Sequence, residues 1–217
     1  MVELAGSDVG KGQAPGWPGI SPRWTSSAKQ GTGTAASEAG RVWFTLSHGI
    51  LNEVFSPRVD ETCIRDMGML ISDGRGFFSE EKRDTETVLR YAEPGVPVYQ
   101  LTNTCVEKRY RIEKTILTDP RRDVLLQQVR FVPLVGSLED YQLFALLAPH
   151  LRNRGAGNNA WVGRHKGIQV LFAAVEGRAL AFACSTGWHS VSVGYVGVSD
   201  GWQDVSRHGS MTWRWIS

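Results

Sequence analysis

Between residues 41 and 198, short runs of β-branched and aromatic residues alternate with turn residues at intervals of about eight to twelve positions. The runs fall at 42–46, 52–55, 67–72, 85–91, 96–102, 109–118, 124–132, 141–148, 168–175, 179–184 and 191–198. Their boundaries are turn chemistry: Asp73-Gly74, Pro94-Gly95, Asp119-Pro120, Pro133 and the hairpin signature Glu176-Gly177-Arg178. Capped stretches with sustained apolar spacing of three and four are missing, so few or no helices are expected. Without helical crossovers, strands pair antiparallel, and the pattern predicts an all-β sandwich or barrel. The run at 141–148 is apolar on both faces, as a strand covered on both sides would be.

Residues 1–40 have a different texture. Pro15, Pro18 and Pro22 alternate with glycines, and residues 30–40 are small and polar. Such a segment resists regular pairing and reads as an extended, Pro/Gly-rich stretch packing on the sandwich of residues 41–217. Trp17 and Trp24 support that packing, because tryptophans in a loop usually lie against something. Gly31-Thr32-Gly33 lacks the strand, helix and Lys-Ser/Thr of a phosphate loop, and reads as a flexible turn.

Composition excludes several function classes. With 24 basic and 22 acidic residues the formal charge is +2, too small for a field that attracts nucleic acid. The densest basic cluster, Lys108 to Lys114, is interrupted by Glu113 and reads as a solvated strand face. No apolar run approaches the length of a membrane span. Met1 to Gly10 lacks the apolar core of a secretion signal, so a cytoplasmic location is expected. The three cysteines, Cys63, Cys105 and Cys184, are widely spaced and read as free thiols, with Cys184 as a small buried hydrophobe.

Candidate chemistry is sparse. Glu80 and Glu81 are adjacent and in a strand would point to opposite faces, whereas Asp84 and Glu86 would share a face at roughly 7 Å. That is within the range of an inverting glycosidase pair, but exposed strands often carry such pairs. The five histidines form no HxH or HExxH, so no metal site is expected from them. Ser47-His48 is adjacent in sequence and lacks triad spacing. The eight tryptophans say more. Sugars pack their C–H faces on aromatic rings while their hydroxyls seek polar partners. Asn158 and Asn159 beside Trp161, Trp188, and Gln203 and Asp204 beside Trp202 fit that need. The competing reading has these tryptophans filling a large core or an interdomain face.

Several stretches appear in an order that resembles the amino-terminal domain of prokaryotic glycoside hydrolase family 15, which includes bacterial glucoamylases and glucodextranase. They run from Ala14-Pro15-Gly16-Trp17 through Val42-Trp43-Phe44-Thr45, Gly49-Ile50-Leu51-Asn52-Glu53-Val54 and Arg65-Asp66. Phe77-Phe78-Ser79-Glu80-Glu81-Lys82-Arg83, Tyr110-Arg111-Ile112-Glu113-Lys114 and Thr118-Asp119-Pro120-Arg121-Arg122-Asp123 follow. Leu147-Ala148-Pro149-His150-Leu151, Gly157-Asn158-Asn159 and the stretch from Gly194 to Asp204 complete the series.

The resemblance implies a galactose-mutarotase-like antiparallel supersandwich of two large stacked sheets. In the family it precedes an (α/α)6 barrel that carries the catalytic glutamates and inverts α-glucosidic bonds of α-glucans. The resemblance implies that this chemistry needs no organic cofactor. No catalytic residue carries over to this chain, which alone is expected to be inactive. Its expected partners are that barrel and an α-glucan, with self-association through any apolar face left uncovered. A stand-alone carbohydrate-binding module is the alternative. A mutarotase-like isomerase using His150 or His189 with a glutamate is a further one.

Overall fold

The computed structural model describes residues 12–17 and 23–217. Residues 1–11, and Pro18 to Pro22 of the proline-rich opening, lie outside the described residues. In chain order the strands are β1 (Gly31–Thr34), β2 (Trp43–Ser47), β3 (Ile50–Phe55), β4 (Thr62–Ser72) and β5 (Phe78–Glu80). A single helical turn, α1 (Glu81–Asp84), leads into β6 (Thr85–Tyr91), β7 (Tyr99–Cys105), β8 (Tyr110–Thr118) and β9 (Leu125–Pro133). Then come β10 (Gln142–Pro149), β11 (Asn159–His165), β12 (Ile168–Val175), β13 (Arg178–Phe182) and the helix α2 (Gly201–His208).

The strands form three antiparallel sheets, ordered β1-β2-β3-β4-β10 with β5 also on β4, β6-β7-β8-β9, and β11-β12-β13. The first two stack as a sandwich. In β7 and β8 every second residue is buried, the period of a strand with one face on a core. Phe44, Leu46, Leu51, Met69 and Ile71 from the first sheet meet Tyr99, Leu101, Tyr110, Ile112 and Ile116 from the second. Phe44 and Tyr99 pack edge to face across the layer, centroids 6.0 Å apart. Fully burying such a side chain contributes about 1.5–3 kcal/mol each. The expected all-β antiparallel sandwich is therefore the observed architecture.

Five local expectations need correction. Gly31-Thr32-Gly33 is no flexible turn but most of β1, an edge strand paired with β2. Its glycines let the backbone lie on rings: a Cβ at Gly33 would sit 2.3 Å from Phe44, and one at Gly31 2.8 Å from Tyr99. The Tyr99 hydroxyl donates to Thr32 O (2.6 Å), tying this strand to the opposite sheet. Residues 191–198 do not form a strand; they bend so tightly that a Cβ at Gly194 would meet Ser199 O at 2.0 Å. The strand β11, within which no run was expected, pairs along its length with β12.

The basic cluster splits as well. Arg111 pairs with Glu113 on the outer face and Lys108 with Glu86, but Lys114 points inward and is buried. Cys184, just beyond the edge strand β13, is only half-buried, since that strand exposes one face.

The helix α2 is one of the few helices, and its ends are readable. Asp200 accepts from Gln203 N (3.1 Å) at its start, and Gly209, at φ 67°, ends it by donating to Val205 O. Among the described residues no helix is long and apolar enough to cross a membrane.

Candidate functional site

Strand β10 has one face in the sandwich core, through Ala145 and Leu147. Its other face is half-buried: Phe144, Leu146 and Ala148 floor a cleft of about 560 Å³. The far wall is the β11-β12-β13 sheet, with Leu171, Ala173 and Phe182. The start of α2 closes one side with Trp202 and Gln203.

The end of the cleft near β4 and α1 is polar. Arg65 Nη2 donates to Asp66 Oδ1 (3.2 Å), and Lys82 Nζ stands 3.7 Å from Asp66 Oδ2. Glu80 Oε2 accepts from Trp202 Nε1 (3.0 Å) and pairs with Arg83 (3.2 Å), whose guanidinium lies 5.8 Å from the Trp202 ring centroid. Trp202 also packs edge-on to Phe78 at 6.2 Å. Trp24 is half exposed and packs edge-on to His150 at 5.0 Å, while Trp17 is 73% exposed. Of the two loop tryptophans, Trp24 thus has a ring neighbour in His150.

His150 is 4% exposed. Its Nδ1 donates to Pro149 O (3.0 Å), because a carbonyl can only accept. Burial pushes its pKa below the ordinary histidine value, so the ring is neutral and Nε2 is a bare acceptor. That nitrogen, Arg65 Nε and Thr25 Oγ1 are buried without a hydrogen-bond partner, and all three residues line this cleft.

The residues nominated from sequence are dispersed. Trp202 and Gln203 line the cleft, and Trp188 lines a neighbouring one of about 590 Å³ with His189. Trp161 sits on β11, 38% exposed and stacked at 5.4 Å on Phe172 of the first cleft, but is itself in the lining of neither cleft. Asn158 serves its own loop, accepting from Leu151 N and donating to Arg154 O, and Asn159 is exposed at the start of β11.

Asp204 corrects the sequence reading: it is 1% exposed, and its oxygens accept from Thr212 N and Oγ1, Trp213 N and the His208 ring. A buried carboxylate so committed holds the chain after α2 and offers nothing to a sugar. The wall residues Arg65, Asp66, Lys82 and Trp24 were not nominated as a site, and His150 was named only for the mutarotase-like alternative. Their signal is the polar run at 80–83 and the pair at 65–66, which only the fold brings together.

The carboxylates also rearrange. Glu81 and Asp84 lie on a helical turn, not a strand, so the expected shared face of Asp84 and Glu86 does not exist. Asp84 accepts from Glu80 N (2.7 Å), and Glu86 pairs with Lys108 (2.9 Å). Glu81 is buried, 2.6 Å from Lys114 Nζ and 2.6 Å from Asn103 Nδ2. Ser47 and His48 do touch, Oγ to Nδ1 at 2.5 Å, but Ser47 is 1% exposed and not open to a substrate. Among the described residues, no three His, Cys, Asp or Glu gather as a metal would require.

Comparison with known proteins follows the fold closely. A glucoamylase of Clostridium sp. (strain G0005) is 35% identical over 196 residues, which is 90% of this chain and 28% of that protein. The crystal structure of a bacterial glucoamylase complexed with acarbose matches with a TM-score of 0.92 and 32% identity, over 94% of this chain and 30% of the other. The chain therefore spans less than a third of the length of either relative. The family described as "Glucodextranase, domain N" matches residues 14–217. With that match running across all the sheets described above, the chain belongs to the glucodextranase N-domain family.

Proposed function

We propose that this chain is the non-catalytic amino-terminal domain of a glucoamylase-type enzyme, and that it supports the folding and placement of an (α/α)6 barrel that inverts α-glucosidic bonds. The family match over residues 14–217 carries this reading, together with relatives more than three times as long. The side-chain chemistry agrees. Each carboxylate of the stretch 80–86 is occupied by a structural partner: Glu80 by Trp202, Glu81 by Lys114, Asp84 by a backbone N–H and Glu86 by Lys108. Glycoside hydrolysis needs two carboxyl groups free to face one bond, and these are not.

The test is to add this chain to a separately produced barrel of a glucoamylase relative. The reading expects a stable complex and a higher Tm for the barrel, as binding to the native state requires. A barrel whose stability and activity do not respond to the chain at any concentration would count against a supporting role.

A further inference from the structure

We infer that the polar end of the cleft between β10, α2 and the β11-β12-β13 sheet is a binding subsite for a neutral polyhydroxylated molecule, with His150 Nε2 as its central acceptor. The choice of an α-glucan segment as that molecule rests on the proposed function; the site itself rests on the geometry. His150 is 96% buried by its 4% exposure, and its Nδ1 is spent on Pro149 O, so the free Nε2 can only accept. An acceptor of this kind suits an O–H donor. Burial holds the ring neutral, which disfavours an anionic ligand at this nitrogen.

The surrounding groups fit the same class. Arg65 and Lys82 share Asp66, and Arg83 pairs with Glu80, so each charge has a partner in place, with a small positive excess that leaves N–H donors for hydroxyl oxygens. Arg65 Nε and Thr25 Oγ1 add an unpartnered donor and an unpartnered hydroxyl to the same cleft. Leaving such groups unpaired costs free energy, which a hydroxyl-rich ligand recovers on binding. Trp24 and Trp202 bracket this end and provide apolar ring surface for sugar C–H faces. Trp24 covers His150 edge-on while remaining half exposed, so a ligand reaches Nε2 by displacing its ring. Binding therefore changes the environment of Trp24.

The test uses the purified chain titrated with maltoheptaose, followed by calorimetry and tryptophan fluorescence. Saturable binding is expected. It weakens about tenfold in His150→Phe, as loss of one well-made hydrogen bond implies. Arg65→Met weakens it likewise, Trp24→Ala removes most of the fluorescence change, and Trp161→Ala, outside the cleft lining, leaves binding intact. Each variant is compared at a temperature where its far-UV signal matches the parent chain. No saturable binding, or binding lost in Trp161→Ala and kept in both His150→Phe and Arg65→Met, overturns the subsite. Either outcome leaves the supporting role standing, because that role is read from the barrel's response and not from sugar binding.

Discussion

The ion pair of Lys114 and Glu81 sits in the middle of the sandwich, and replacing Lys114 with methionine tests how the two sheets are held in register. Both side chains are fully buried, with Nζ 2.6 Å from Glu81 Oε2. The same carboxylate accepts from Met69 N (3.0 Å) on β4 and from Asn103 Nδ2 (2.6 Å) on β7. Asn103 Nδ2 also donates to Gly49 O (2.8 Å) at the turn between β2 and β3, and Asn103 Oδ1 accepts from Thr87 on β6 (2.9 Å). One polar cluster thus fastens both sheets.

Methionine fills the volume of the lysine stem but leaves the carboxylate without its countercharge. Removing one member of a buried pair typically costs about 3–5 kcal/mol. For a domain of this size that corresponds to a fall in Tm of roughly 6–20 °C, at about 2–4 °C per kcal/mol. Urea unfolding followed by tryptophan fluorescence measures it as a lower midpoint at constant slope. A double-mutant cycle with Glu81→Gln isolates the pair, and the two losses are expected to fall well short of additive. A cost below about 1 kcal/mol for Lys114→Met, or strictly additive losses in the cycle, would refute the view that this pair is a structural fastener.

Three further perturbations act on single contacts elsewhere in the fold. Gly33→Ala places a Cβ 2.3 Å from the Phe44 ring, and overpacking of that kind lowers stability by about 1–3 kcal/mol in urea unfolding. Asp204→Ala strips Thr212 N and Trp213 N of their acceptor; about 1–3 kcal/mol is lost for each backbone donor left unpaired, with hydrogen exchange rising first after α2. His150, its pKa lowered by burial, contributes stability that is full above its unfolded pKa of about 6.5 and declines as pH falls from there toward the lower folded value. His150→Phe should flatten the pH dependence of Tm on the acid side of that point, and an unchanged profile would count against a neutral buried ring.

How much of this was legible depended on the kind of signal. The sandwich was readable because β7 and β8 alternate residue by residue and their turns are marked by glycine, proline and aspartate. Alternation also places Lys114 among the buried positions of β8, yet its charge argued for the surface. Only its contact with Glu81, 33 residues away, explains the burial. The strand β1 was hidden because Gly31 and Gly33 carry no strand propensity; the rings beneath them supply the reason for pairing. The helix α2 was announced by Asp200, Gln203 and Gly209, but its eight residues are too few to show a repeating apolar face.

The cleft was the least legible feature. Trp24, Arg65, Lys82, His150 and Trp202 come from five separate segments, and no local spacing links them. Conversely, Asp204 resembled a sugar ligand beside Trp202, when its burial commits it to the backbone that follows.

We propose that this chain serves a glucoamylase-type enzyme without containing its catalytic pair. Glucose release from maltose and soluble starch by the purified chain tests that most directly. The account predicts no release above a buffer blank. Robust release abolished by replacing a single carboxylate would contradict it, and would mean that one of the acids assigned here to structural partners takes part in catalysis.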